Sequence, residues 1–160
     1  MNSVNAHTTQ EAVQSLATFF ERLQPRDLSR LNELYASDAH FKDPFNEVQG
    51  IAAIEGIFVH MFKNLHEPHF IVTDRIVQER QCFLSWEFRF RFKRFNATQW
   101  QTVRGGTHVV FNDAGLVQLH RDYWDAAEEL YEKFPLVGSL MRWLKRRVNA
   151  PVKPGAARSR

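Results

Sequence analysis

The chain has 160 residues, of which 44% are hydrophobic and 13% aromatic, so it can bury one substantial core but not two. Its net charge of +3 is unevenly distributed, because seven of the 21 basic residues and none of the 18 acidic ones lie in the last twenty positions. The rest of the chain therefore carries 14 basic and 18 acidic side chains, a net charge of −4. A nucleic-acid-binding protein is expected to spread its basic residues along a binding face, so this distribution argues against nucleic acid as a partner.

The N-terminal stretch MNSVNAHTTQ has neither the basic region nor the apolar region of a secretory leader. No later run approaches the roughly 18 apolar residues of a membrane-spanning helix. We therefore expect a cytoplasmic protein. The single cysteine, Cys82, lies in an apolar run, which excludes an internal disulfide framework and favours a small core residue.

Three helices are predicted in the first part of the chain. Residues 8–23 place apolar side chains at helical spacing, with Thr8 or Thr9 as the N-cap. Residues 27–35 form a shorter amphipathic helix, and residues 51–65 form a third. A short strand, residues 39–42, separates the second helix from the third.

The hydrophobic period changes from helical to alternating in the second half of the chain. The stretch FLSWEFRFRFKRF alternates aromatic with charged residues, which is typical of a long, half-buried strand whose aromatic row faces the helices. Three further strands are predicted at residues 70–78, 99–111 and 116–124, the last two joined by the hairpin turn Asn-Asp-Ala-Gly. Helices followed by antiparallel strands indicate an α+β fold.

Asp43 precedes a proline and lies between Phe41 and Phe45. One interpretation is a turn, because aspartate accepts local backbone hydrogen bonds and proline fixes the next φ angle. The other is a carboxylate in an apolar pocket, where poor hydration would make it a better base. The residues themselves leave both open.

The last strand places His120, Asp122 and Trp124 on one face by its period of two. An imidazole two residues from a carboxylate can share a proton with it or with a substrate. The alternative is a buried hydrogen-bonded pair that only fixes the strand. Gly105-Gly106, in the preceding strand, indicates a bulge, a close approach of another group, or sheet curvature, of which we favour curvature.

His66 and His69 are close in sequence, but the intervening Pro68 breaks a helix and no third ligand is evident, so we expect a solvated loop and no metal. Residues 135–150 predict a basic amphipathic helix, which could lie on an anionic membrane, cover a cavity of its own or a neighbouring subunit, or pack on the sheet. Residues 151–160 are expected to be disordered.

The stretches LNELYASDAHFKDPFNEVQG and GLVQLHRDYWD resemble the nuclear transport factor 2-like superfamily, specifically its bacterial SnoaL-like and ketosteroid isomerase-like members, over about residues 9–134. The resemblance implies a cone-shaped α+β fold in which a curved antiparallel sheet wraps the N-terminal helices and leaves an apolar cavity. It also implies one domain over residues 1–134, and a homodimer, as in many relatives.

Site residues also follow from the resemblance. Asp43 matches the general base of ketosteroid isomerases, which lies in the same Asp-Pro-Phe context. RDYWD resembles the RDYFD of limonene-epoxide hydrolases, in which Asp122 would match a catalytic acid. Phe19 and Thr107 stand where the isomerases place an oxyanion-hole tyrosine and a protonated aspartate.

The sequence therefore predicts a protein that binds a small, mostly apolar molecule and, if it is an enzyme, catalyses proton transfer without a cofactor. Asp43 is the expected base, with His120 and Asp122 as an acid or positioning pair, and the reaction would be an isomerisation, cyclisation or hydration. The expected cavity is lined by Phe19, Phe41, Trp86, Phe88, Val103, Thr107 and Trp124. The alternative is a non-catalytic ligand or lipid binder whose basic C-terminal helix contacts a membrane surface or a partner.

Overall fold

Helices and strands follow one another in an order close to the expected one. The computed structural model describes residues 3–94 and 97–129. The elements are α1 (Ser3–Arg22), a 3₁₀ helix (Pro25–Glu33), β1 (Tyr35–Lys42), β2 (Glu47–Gln49), α2 (Ile51–Asn64), β3 (Leu65–Gln78), β4 (Gln81–Phe92), β5 (Gln101–Phe111), β6 (Val117–Tyr123) and α3 (Ala126–Glu129). The elements before Asp125 belong to one compact unit, and α3 begins a second.

The six strands form one open, curved sheet in the order β2-β1-β6-β5-β4-β3. Every neighbouring pair is antiparallel except β1 and β6, which run parallel. The backbone N–H of Val117 donates to the carbonyl of Leu34 over 2.8 Å, which joins the start of β6 to the start of β1. The α+β prediction and its four long strands are confirmed, and β1 and β2 extend the sheet at one edge.

The alternation along β4 separates a buried face from an exposed one. Leu84, Trp86 and Phe90 are buried, whereas Phe83 and Arg89 are exposed on the opposite face. The buried face meets the apolar sides of α1 and α2, whose most buried residues include Leu16, Ala17, Ile54 and Phe58. The aromatic row predicted from FLSWEFRFRFKRF therefore faces the helices, as expected.

Three local predictions need correction. α1 begins at Ser3, so Thr8 and Thr9 lie inside the helix and do not cap it. The second helix is a 3₁₀ helix. β3 begins at Leu65, so His66 and His69 lie in a strand and not in a loop. A register irregularity between these two histidines accommodates the proline, which cannot donate to a regular strand ladder.

The hairpin between β5 and β6 is formed as predicted. Asn112 Oδ1 accepts hydrogen bonds from the backbone N–H groups of Ala114 and Leu116, both at 3.0 Å. Gly115 adopts a positive φ of 76°, a conformation that glycine reaches without steric cost. The predicted helix at residues 135–150 and the tail at residues 151–160 lie outside the described residues. Within the described ranges, no helix is long and apolar enough to cross a membrane.

Candidate functional site

A small cavity lies between α1, α2 and the buried face of the sheet. Its volume is about 40 Å³. The lining residues are Leu16, Ala17, Phe20, Phe58, Phe70, Val72, Leu84, Trp86, Thr107, His120 and Asp122. This volume can hold ordered water but is far below the roughly 300 Å³ of a typical small-molecule pocket. Almost all of the wall is apolar, and its polar side chains Thr107 and His120 both contact Asp122.

Those polar groups form one hydrogen-bonded cluster centred on Asp122. Its Oδ1 accepts from the hydroxyl of Thr107 over 2.5 Å and lies 3.0 Å from His120 Nε2. The indole N–H of Trp86 donates to Thr107 Oγ1 over 2.8 Å. The hydroxyl of Tyr35 lies 2.7 Å from His120 Nδ1. Five side chains from four strands thus form one cluster, in which Thr107 and His120 both contact Asp122 Oδ1.

Strand register explains this convergence. Thr107 and Asp122 are directly opposite each other in the β5–β6 pair, and His120 lies on the same face two residues earlier. The parallel pairing of β1 with β6 brings Phe41 opposite His120. It also pairs Tyr35 with Val117, three residues before His120 in β6. The cluster therefore depends on both neighbours of β6.

The cluster is enclosed by aromatic rings. The His120 ring stacks on Phe41 with centroids 4.6 Å apart and meets Phe20 edge to face at 5.8 Å. His120 is 5% exposed. Burial raises the pKa of Tyr35 well above its usual value, and the negative charge of Asp122 adds to the effect. Tyr35 therefore stays protonated over the physiological range.

Asp122 also faces a second, open cleft. This outer cleft has a volume of about 500 Å³ and is lined by Lys42, Asp43, Pro44, Arg121, Asp122, Tyr123, Trp124 and Asp125. Among the described residues, Asp122 Oδ2 has no hydrogen-bond partner, and it is not a buried unpaired atom. Asp122 thus belongs to the walls of both spaces, with one oxygen anchored in the cluster and the other unpaired.

Asp43 lies in a turn. Its Oδ1 accepts from the backbone N–H groups of Phe45 and Asn46 over 2.7 and 2.6 Å, and both carboxylate oxygens accept from the Asn46 amide. Asp43 borders the outer cleft and does not line the inner cavity. Of the two interpretations of this residue, its hydrogen bonds favour the turn.

The other predicted residues divide between the two spaces. Trp86 and Thr107 line the inner cavity, as do His120 and Asp122. Trp124 lines the outer cleft, where its ring meets Phe45 edge to face with centroids 5.3 Å apart. The remaining predicted ligand contacts, Phe19, Phe41, Phe88 and Val103, line neither space in the described structure.

Phe20, Phe70 and Tyr35 are among the site residues that were not predicted. Phe20 lines the cavity in place of Phe19, because it continues the apolar stripe of α1. Phe70 lines it from β3 and stacks on Phe88 with centroids 4.3 Å apart. Tyr35 is buried and bonded to His120, although its position in the sequence suggested only a helical core residue. The helical stripe was a usable signal for Phe20, whereas the other two depend on strand pairing.

Comparison with known proteins agrees with this fold. The SnoaL-like domain family matches residues 16–120. A search of curated protein sequences gives no match. The match ends at His120, so Asp122 lies two residues beyond it.

Solved structures of low sequence identity share the fold. A nuclear transport factor 2-like protein from Burkholderia pseudomallei K96243 has a TM-score of 0.65 at 17% identity, over 76% of this chain and 93% of its own. A protein described as a SnoaL-like polyketide cyclase, from Jannaschia sp. CCS1, also has a TM-score of 0.65 at 17% identity, over 78% and 90%.

A protein with a ketosteroid isomerase-like fold from Catenulispora acidiphila, solved with trimethylamine, has a TM-score of 0.63 at 17% identity, over 75% of this chain and 89% of its own. The predicted resemblance is thus confirmed by sequence and by architecture. The chain belongs to the SnoaL-like domain family and has the nuclear transport factor 2-like α+β fold.

Proposed function

We propose that this protein binds a small, mostly apolar molecule at the junction of the inner cavity and the outer cleft, and catalyses cofactor-free proton transfer on it. Asp122 is the base in this proposal, and His120 and Thr107 position it. The reaction class is isomerisation, cyclisation or hydration. The polyketide cyclase assignment of the Jannaschia relative and the small amine bound to the Catenulispora relative support small-molecule chemistry in this fold.

The observation that carries the proposal is the asymmetry of the Asp122 carboxylate. Oδ1 accepts one hydrogen bond from Thr107 and lies within hydrogen-bond distance of His120, while Oδ2 has no partner among the described residues. The side chain is 18% exposed, so Oδ2 can be reached without being fully hydrated. A base needs an accessible lone pair and a fixed orientation, and Asp122 has both. Both oxygens of Asp43, by contrast, already accept hydrogen bonds within the turn.

The sizes of the two spaces suggest how a ligand would be placed. An inner cavity of about 40 Å³ cannot hold a whole ligand without movement of its aromatic walls, whereas the outer cleft has about 500 Å³. We place the body of the ligand in the outer cleft against Trp124. Its reacting group then lies beside Asp122, at the boundary of the apolar interior.

The chemistry balances without an external electron acceptor or donor. Asp122 takes a proton from a carbon next to a carbonyl group, which leaves an enolate on the ligand. In an isomerisation the same proton then returns to a different atom of the ligand. In a cyclisation the enolate carbon attacks a second carbonyl, whose π electrons move to its oxygen, and the resulting alkoxide takes the proton from Asp122. Arg121 also lines the outer cleft, where its guanidinium lies over the Tyr123 ring and adds positive charge to the cleft.

Two measurements test the proposal. Native mass spectrometry of the purified full-length chain, followed by solvent extraction, identifies the molecule that copurifies. Incubation of that molecule with the protein in D₂O then measures exchange of its carbon-bound hydrogens, which reports proton transfer even when the product is unknown.

Paired variants assign the base. Asp122→Asn should slow the exchange by about 100-fold or more, the usual contribution of a general base, whereas Asp43→Asn should change it less than about threefold. The reverse result would assign the base to Asp43. Ligand binding without any exchange in the wild-type protein would establish a non-catalytic binder and overturn the enzymatic proposal.

A lipid-binding role is the second candidate, favoured by the segregation of basic residues into the C-terminal segment. Clustered basic residues on an amphipathic helix attract anionic lipid surfaces. Cosedimentation with vesicles of anionic and of neutral lipid compares the full chain with one that ends at Phe134. Preferential loss of anionic-vesicle binding in the shorter chain supports this role, and equal recovery removes it.

A further inference from the structure

Tyr35 is a buried titratable residue that the proposed proton transfer does not use directly. It is 1% exposed, and among the described residues the only hydrogen-bond partner of its hydroxyl is His120 Nδ1 at 2.7 Å. The pKa of Tyr35 is raised mainly by burial and also by the negative charge of Asp122, so the hydroxyl keeps its hydrogen. That hydrogen needs an acceptor, because a buried donor without a partner is strongly unfavourable.

This requirement determines which ring nitrogen of His120 carries the hydrogen. Nδ1 can accept the Tyr35 hydrogen only if it carries no proton of its own. The imidazole hydrogen then resides on Nε2, which donates to Asp122 Oδ1 over 3.0 Å. A doubly protonated imidazolium would instead leave the Tyr35 hydrogen without an acceptor inside an aromatic enclosure.

The hydrogen bonds that lead from Trp86 through Thr107 to Asp122 also have only one possible donor direction. Trp86 Nε1 can only donate, so Thr107 Oγ1 accepts from it over 2.8 Å. The single hydroxyl hydrogen of Thr107 is then donated to Asp122 Oδ1. The hydrogen bonds from Tyr35 through His120 and those from Trp86 through Thr107 therefore end on the same oxygen, Asp122 Oδ1.

We infer that Tyr35 is a positioning residue that holds His120 as the neutral Nε2–H tautomer. In this state His120 is a hydrogen-bond donor to Asp122 and not a competing acid, and Oδ2 is the one oxygen of Asp122 available to a ligand. The catalytic meaning of this arrangement rests on the proposed function, whereas the tautomer itself does not.

The surroundings of His120 contain few groups that could change this assignment. The described rings that contact His120 are Phe20 from α1 and Tyr35 and Phe41 from β1; Asp122 from β6 lies within hydrogen-bond distance, and Val109 from β5 is the strand partner of His120. Only Tyr35 and Asp122 among them are titratable. The charge state of His120 is therefore set by these two partners.

Nitrogen-15 NMR of the full-length chain, labelled at histidine, tests the assignment directly. At about pH 6.5 an ordinary imidazole is roughly half protonated, so the inferred Nε2–H tautomer can be distinguished from it there. His120→Asn identifies the His120 signals by their loss. We expect unprotonated Nδ1 and protonated Nε2 in the wild-type protein, and a protonated Nδ1 would overturn the inference.

Two tyrosine variants separate the role of Tyr35 from the effect of removing any tyrosine hydroxyl near Asp122. Tyr35→Phe should raise the ratio of protonated to unprotonated Nδ1 by about tenfold, as expected for loss of one buried hydrogen bond. Tyr123→Phe removes a hydroxyl from an exposed tyrosine next to Asp122 on the opposite face and should leave the ratio unchanged.

An unchanged ratio in Tyr35→Phe would refute the positioning role. If that variant does not fold, the wild-type spectrum still decides the tautomer. Because the measurement needs neither ligand nor turnover, failure of the D₂O exchange experiment would leave it intact.

Discussion

The indole of Trp86 occupies the space that a side chain at Gly105 would need. The two residues are paired across β4 and β5, and a Cβ atom built on Gly105 would lie 2.6 Å from Trp86 Cη2 and 2.9 Å from the Trp124 Cβ. The strand register is regular here, so Gly105 does not form a bulge. Its missing side chain instead lets the Trp86 ring and the Trp124 Cβ lie close to the backbone. The site therefore requires glycine for steric reasons.

Gly105→Ala should lower the free energy of unfolding by about 1–3 kcal/mol, because the buried indole cannot move without losing its hydrogen bond to Thr107. Urea unfolding measures this change. Gly56→Ala is the matched control, since no atom of the described residues lies within 4 Å of a Cβ at that helical position. It should stabilise the protein by up to about 1 kcal/mol. Equal effects of the two substitutions would contradict the steric explanation.

Phe20, and not its neighbour Phe19, should control the inner cavity. The Phe20 ring contacts Phe58, Phe70 and His120 with centroids 5.5 to 5.8 Å apart, whereas Phe19 has a ring contact only with Phe20 among the described residues. Phe20→Ala should cost about 2–4 kcal/mol and open an apolar cavity. Phe19→Ala should cost about 1 kcal/mol or less.

Benzene can serve as a probe of the enlarged space, because dry apolar cavities bind it. Added benzene should raise the midpoint of thermal unfolding of Phe20→Ala and leave that of Phe19→Ala unchanged. A benzene response in the second variant alone would show that Phe19 is the lining residue, as the family resemblance implied.

The features predicted correctly from sequence are those encoded locally. The alternation around Trp86 and the stripe that contains Phe20 each fix a buried face from residues close in the chain. The turn interpretation of Asp43 was also available, because the groups that donate to its carboxylate belong to the nearby residues Phe45 and Asn46. Such contacts need no knowledge of how distant strands pair.

The rest of the site depends on pairing between distant segments. Tyr35 and His120 are 85 residues apart, and they meet because β1 inserts parallel to β6. No sequence pattern near Tyr35 specifies β6 as the neighbour of β1. Tyr35 also fits the spacing of the helix predicted over residues 27–35 as well as it fits a strand. Sequence patterns thus indicated Asp122 as a candidate but not the partners that orient it.

Cys82 should make the protein sensitive to alkaline conditions. Burial raises the pKa of its thiol from 9.0 to about 12. Because the folded pKa is raised, the stabilisation is fully present below about pH 9 and is lost between about pH 9 and pH 12, as the unfolded chain ionises first. Between pH 8 and about pH 10.5 this contributes a loss on the order of 1–2 kcal/mol.

Cys82→Ala separates this contribution from that of Tyr35, whose pKa is raised in the same direction. Urea unfolding at the two pH values should show a smaller loss of stability in the variant than in the wild-type protein. Identical losses would mean that the thiol ionises as readily in the folded chain as in the unfolded one.

The outer face of the sheet is where we expect the predicted homodimer to form. Ile76 and Phe83 are opposite each other on β3 and β4, with 65% and 39% of their surfaces exposed, and Tyr123 on β6 is 46% exposed. Apolar side chains clustered on one face commonly mark a protein interface. A second copy of the chain would cover them, because a two-fold axis brings equivalent patches together.

Ile76→Lys should weaken self-association by about tenfold or more, since it places a desolvated charge within this patch. Val59→Lys is the control: Val59 is 49% exposed on α2, away from the outer sheet face, and its substitution should leave the dissociation constant unchanged. Sedimentation equilibrium of the full-length proteins measures both. A monomeric wild-type chain, or equal dissociation constants for the two variants, would show that the outer face is not the dimer interface.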